Sequence, residues 1–219
     1  MKNNWWKILC VLLLTYTVIA GFLTDVPRMY QLHETIRNLY FHVCMWFAMM
    51  ILLTVSLIFS IRYLSGEKHE HDIIASEAAN TGILLGILGL LTGSIWAKFT
   101  WGDWWTNDVK LNGAAITMLT YFAYLVLRNA IPDEQKRGKV SAVYNIFAYV
   151  MMVVFIMIYP RMTASLHPGN GGNPGFGNYD LDNQMRLVFY PAVIGWTLLG
   201  VWITTIRIRI QKIKLQTES

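Results

Sequence analysis

Three tryptophans within five residues, Trp101, Trp104 and Trp105, stand beside Gly102 in the run Trp101-Gly102-Asp103-Trp104-Trp105-Thr106-Asn107-Asp108. If that run is helical, Trp101, Trp104, Trp105 and Asp108 fall at i, i+3, i+4 and i+7, which sets three indoles and a carboxylate on one face. Such a shelf suits a planar, largely apolar ligand, and the missing side chain at Gly102 lets that ligand approach the backbone. The competing role for the same residues is an interfacial aromatic belt, with Asp108 capping the helix that follows. Histidines supply the remaining chemistry: His33, His42, His69, His71 and His167. Imidazole is a good ligand for a transition metal, although a lone histidine near an interface more often bonds a neighbouring backbone group.

The elements that must hold these residues follow from composition. Of 219 residues, 55% are apolar and 14% charged, which leaves too few polar side chains to cover a soluble globule. Mean hydropathy is +0.40. A helix crossing about 30 Å of hydrocarbon needs about 20 mostly apolar residues, and six segments qualify, near 5–24, 39–63, 76–97, 111–130, 142–160 and 187–206. The expected fold is all-α, an integral membrane bundle of six transmembrane helices forming one domain over 1–219, with a Trp-rich loop at about 98–110. Ile131-Pro132-Asp133-Glu134 marks a helix stop, and Gly169 to Gly177 a flexible loop.

Placement of Lys and Arg assigns the faces. Twelve of the eighteen lie at the termini or in the loops on the terminal side: Lys2, Lys7, Arg62, Lys68, Arg128, Lys136, Arg137, Lys139 and the four from Arg207 to Lys214. Basic residues collect on the cytoplasmic side, so both termini are expected there and the Trp-rich loop outside. Lys2 and Lys7 precede an apolar stretch as in a signal peptide, but no Ala-x-Ala-like site follows, and the first span is expected to be retained. The net charge of +5 is therefore a topological signal, and no nucleic-acid partner is expected.

This topology sorts the histidines. His33, His42 and His167 share the outer side with the tryptophans, and two imidazoles, His42 at the end of the second span and His167 beyond the fifth, could converge on one iron. His69-Glu70-His71-Asp72 lies on the other side and reads as a solvated charged turn, so no other metal is expected. Cys10 and Cys44 fall in or beside apolar runs and describe neither a disulfide framework nor a zinc site. No Cys-x-x-Cys-His is present for covalent attachment of c-type heme.

The run Trp101 to Asp108, introduced by Gly93-Ser94-Ile95-Trp96-Ala97-Lys98 after the third of six spans and flanked by one His-bearing outer loop on each side, resembles the heme exporter protein C (CcmC) family of cytochrome c biogenesis proteins. The resemblance implies transient, non-covalent binding of heme b at the outer face of the bacterial inner membrane and its delivery to a periplasmic heme chaperone. It implies His42 and His167 as axial ligands, Trp101, Gly102, Trp104, Trp105 and Asp108 as the platform, and Arg37 and Lys110 as possible partners of the propionates. It also implies association with ATP-binding cassette transporter subunits and a small single-span subunit. Asn107 stands where the family pattern has a tryptophan, and Cys44 where a proline commonly follows His-Val.

Indoles cover a macrocycle, imidazole binds its iron and cations meet its carboxylates, so a carrier working by ligand exchange is expected, with no catalytic residue and no enzyme activity. The alternative is a heme b-containing membrane electron-transfer or quinone-reactive subunit. Such proteins place ligand pairs within the spans, and no two histidines lie deep in opposed helices here.

Overall fold

The computed structural model describes residues 4–27, 32–167 and 181–218, whose regular structure is all helical. Six helical segments are long and apolar enough to cross a membrane. They are α1 (Trp5–Leu23), α2 (His42–Gly66), α3 (His69–Trp101), α4 (Val109–Asn129), α5 (Glu134–Met152) with its continuation, and α7 (Asn183–Glu218). α5 runs on through a π-helical turn, Val153–Ile158, into the short α6, Tyr159–Met162. A 3-10 helix, His33–Tyr40, leads into α2. The loop expected from Gly169 to Gly177 lies outside the described residues.

Two spans run well past their expected ends. α3 starts at His69, so the His69-Glu70-His71-Asp72 turn is helical. Glu70 and Asp72 in the first turn meet the positive end of the helix dipole, which favours the early start. α7 continues through Arg207, Arg209, Lys212 and Lys214 because neither glycine nor proline follows Gly200.

Close packing of α2 on α3 fixes the register of the bundle. Gly82, Gly86, Gly89 and Gly93 follow one another at spacings of four, three and four along α3. A methyl group built on them would meet Leu53, Met49, Trp46 and His42 respectively, at 3.0, 2.8, 2.8 and 2.6 Å. These partners repeat the same spacing in reverse along α2, so the two helices are antiparallel and mate knob to gap. In a bilayer no hydrophobic force drives helices together, and small residues act by letting backbones approach closely. His42 is the last knob of this row.

The end of the bundle that holds the start of α1 and the close of α7 is tied by ion pairs. Glu67 meets Lys139 of α5 at 2.8 Å. Asp72 of α3 grips Arg128 of α4 through two hydrogen bonds of 2.8 and 2.6 Å. Glu77 and Glu70 of α3 pair with Arg207 and Lys212 of α7. Three of these pairs join two helices and Glu67, just past the end of α2, ties that helix to α5, whereas at the other end Glu34 pairs with Arg37 and Asp108 contacts His167. Glu70 and Asp72 are thereby engaged, and among the described residues no group of three or more His, Cys, Asp or Glu is placed to hold a metal ion.

Pro191 sits inside α7 and cannot donate to the Leu187 carbonyl one turn back. The Tyr16 hydroxyl of α1 donates to that oxygen instead, at 3.2 Å, as expected where no water can replace a lost bond. Tyr16→Phe is expected to cost about 1 kcal/mol, the net worth of one such bond, and to lower the melting temperature in detergent. An unchanged melting temperature would show that the carbonyl has another donor.

Candidate functional site

At the end opposite the interhelical ion pairs, the 3-10 helix, α2, α3, the start of α4 and the 156–161 segment line a cavity of about 230 Å³. Its wall is mostly apolar, with Leu39, Trp46, Phe47, Leu90 and Trp96 among the lining residues. His42 and His167, 125 positions apart in the chain, both line it.

His42 opens α2, where the preceding 3-10 helix is pinned to α3 by Asn38, whose Nδ2 donates to the Thr92 carbonyl at 3.3 Å. Its Nδ1 lies 3.1 Å from Thr92 Oγ1. Thr92 spends its own hydroxyl hydrogen on the Leu88 carbonyl at 2.8 Å. With the hydroxyl hydrogen on that carbonyl, the threonine oxygen accepts from Nδ1–H, and Nε2 is the ring nitrogen left over. Gly93 leaves room for the ring: a Cβ there would stand 2.6 Å from Cε1.

His167 is held in the same sense by Asp108. The carboxylate is the N-cap of α4: its Oδ1 accepts from the Lys110 backbone N–H at 2.9 Å and faces His167 Nδ1 at 2.9 Å. Oδ2 accepts from the Leu166 N–H at 2.7 Å and the Ser165 hydroxyl at 2.8 Å. Burial opposes ionisation of Asp108, but the hydrogen bonds from His167, the Leu166 N–H and Ser165 outweigh it and hold the carboxyl well below the usual range. An ionised carboxylate only accepts, so His167 donates its Nδ1–H to Asp108, and Nε2 is the ring nitrogen left over. Both imidazoles thus have Nδ1 engaged by a protein oxygen, and a second partner of this kind is what orients metal-bound histidines in general.

The tryptophans divide rather than forming one face. α3 ends at Trp101, and Gly102 closes it in the left-handed region at φ 90° with open space around the missing side chain. The run 101–108 is therefore not a single helix, because a glycine in this conformation ends one. Trp101 packs edge-on against His167 with ring centroids 5.0 Å apart, and Trp96 tilts against the same imidazole at 5.6 Å. Trp105 lines the cavity and is 45% exposed, while Trp104 is 58% exposed and does not line it. Asn107 helps to place Trp105: it accepts from Asn112 Nδ2 at 2.7 Å, and Asn112 Oδ1 accepts from the Trp105 indole at 3.3 Å.

The two basic residues also part. Lys110 lines the cavity from the first turn of α4. Arg37 does not; it donates to the Gly21 and Thr24 carbonyls at 2.9 and 2.6 Å and pairs with Glu34, which braces the end of α1 against the 3-10 helix. Arg161, for which sequence reasoning had no role, lines the cavity instead. Thr92 was likewise unassigned, and Gly93 and Trp96 entered only as part of the run that introduces the Trp-rich stretch; the glycine spacing along α3 was the signal for Gly93, and a helical threonine such as Thr92 carries none.

These features describe a multi-pass helical membrane protein with an apolar cavity at one end, two oriented imidazoles in its wall and cations on the same wall. A profile of the family described as heme exporter protein C matches residues 2–219, and the chain belongs to that family. Heme exporter protein C of Paracoccus denitrificans is 25% identical over 192 residues, 88% of this chain and 78% of that protein. The protein of the same name in Haemophilus influenzae is 26% identical over 218 residues, 94% of this chain and 82% of its own length. That of Escherichia coli K12 is 26% identical over 207 residues, covering 94% and 81%.

Proposed function

We propose that this protein binds heme at the outer face of the bacterial cytoplasmic membrane and delivers it to a periplasmic heme chaperone during the maturation of c-type cytochromes. Membership of the heme exporter protein C family supports heme export in cytochrome c biogenesis as the setting. One observation carries the assignment of the site: His42 and His167 line one cavity, each with its Nδ1 facing a protein oxygen and its Nε2 left for iron. The residues fit the ligand in its other parts as well, with indoles and aliphatic side chains for the macrocycle and cations for its carboxylates.

The bound species is heme b, held without a covalent bond, and the protein is a carrier rather than an enzyme. Thr92 and Asp108 orient the two ligands, Trp96 and Trp101 pack around His167, and the acceptor displaces an imidazole to take the heme away. The majority of basic residues on the terminal side supports a periplasmic position for the cavity. ATP-binding cassette transporter subunits and a small single-span subunit are its proposed partners. His42 at the first residue of α2 and His167 beyond α6 stand at the rim of the bundle, which supports a carrier over an electron-transfer subunit with ligands deep in the spans.

The test is an absorption spectrum of the protein purified after heme-replete expression. A Soret band is expected, altered by His42→Ala and by His167→Ala and left unchanged by His69→Ala. A wild-type protein without the band, or a spectrum that responds to His69→Ala alone, overturns the proposal.

A further inference from the structure

The charged side chains in the cavity wall are Lys110 and Arg161, and among the described residues no carboxylate lines it. Lys110 comes from the first turn of α4 and Arg161 from α6, two elements that pack against each other. Both cations therefore enter from the side of the cavity that carries His167. An apolar wall with positive charge gathered on one side complements a flat ligand whose anionic groups share one edge.

Local structure explains how Arg161 reaches this wall. Ile156, Met157, Pro160 and Arg161 line the cavity, a spacing that keeps them on one side of a wide π turn. Pro160 has no N–H to give to the Phe155 carbonyl, its partner in a π ladder. That carbonyl bulges towards α4, where a Cβ at Gly113 would lie only 2.3 Å from it. Arg161 Nη1 donates to the Met157 carbonyl, which folds the guanidinium back along its own helix.

Resting on the reading of the cavity as a heme site, we propose that Arg161, together with Lys110, pairs with the two carboxylates of the bound porphyrin. Arg37 then acts only as a brace between α1 and the 3-10 helix. A planar guanidinium forms bidentate bonds to a carboxylate, and such charge-assisted bonds are the stronger class. Arg161 is thus a specificity-determining residue that selects a porphyrin dianion over a neutral porphyrin of the same shape.

The full-length protein in lipid nanodiscs, titrated with hemin and with hemin dimethyl ester, tests this. Wild type is expected to bind hemin more tightly than the ester. Arg161→Gln is expected to weaken hemin binding by about 10- to 100-fold, the scale of one hydrogen bond to a charged group, with the Soret position unmoved and ester binding unchanged. Arg161→Lys should restore part of the loss, and Arg37→Gln should affect both porphyrins alike. Equal weakening of hemin and ester by Arg161→Gln, or no weakening of either, overturns the role of Arg161 and leaves the heme site standing. Failure of the wild type to bind either porphyrin removes both.

Discussion

Asp108→Ala is expected to destabilise the protein by about 3–5 kcal/mol, because each buried donor left without an acceptor costs about 1–3 kcal/mol, and to weaken heme binding by about 10- to 100-fold, the cost of losing a partner that orients a metal-bound histidine. The side chain is only 1% exposed and holds four groups at once: the Lys110 and Leu166 N–H groups, the Ser165 hydroxyl and His167 Nδ1. Alanine leaves all of them without their acceptor and frees the imidazole to turn. Asp108→Asn keeps the size but turns one oxygen into a donor, so hemin affinity should fall while the helix cap is partly kept. The native carboxyl titrates well below its ordinary range. Its contribution to stability is therefore complete above the unfolded aspartate value of about 3.9 and is lost as pH falls through the lower folded value. Melting curves of wild type and Asp108→Ala between neutral and strongly acid pH should accordingly converge at the acid end. Curves that stay parallel would show that the carboxylate is not the source of the difference.

Gly93→Ala is the second large effect. The added methyl would stand 2.6 Å from His42 Cε1, so the imidazole must leave its place over α3 or the two helices must part. Overpacking of this kind costs about 1–3 kcal/mol, and the displaced ring loses its contact with the Thr92 oxygen. Hemin affinity is expected to drop at least tenfold with a changed Soret position, whereas Gly82→Ala, which crowds Leu53 at the far end of the same row, should lower the melting temperature and leave the spectrum alone. Identical spectra for Gly93→Ala and wild type would refute the role given to this contact.

The spans were legible because hydropathy over about twenty residues is the property a bilayer selects. Their ends were not: α3 takes in His69 to Asp72 and α7 takes in Arg207 to Lys214, since charged residues outside the hydrocarbon continue a helix unless a glycine or proline stops it. The tryptophan face failed for the same kind of reason. Gly102 is the stop signal that ends α3, and the periodicity drawn across it had no helix to act on. Asp108 could be read as a helix cap, and it is one, but its second oxygen serves Leu166 and Ser165, which no spacing links to it. Topology brought His42 and His167 to one side; their shared cavity depends on packing. Arg161 was illegible because a single arginine at the end of a span looks like an interfacial anchor, and the π turn that precedes it leaves no periodic trace.

That π turn has a bearing on which insertions and deletions the gene tolerates. Such a turn absorbs one residue more than an α-helix needs, so losing a residue within Val153–Ile158 would restore regular winding and leave Tyr159 onward facing as before. The same loss anywhere in Glu134–Met152 would turn the rim, and with it the stem of His167, by about 100°. Length variation in this span is therefore confined to one place, and relatives that lack the extra residue should lack it there.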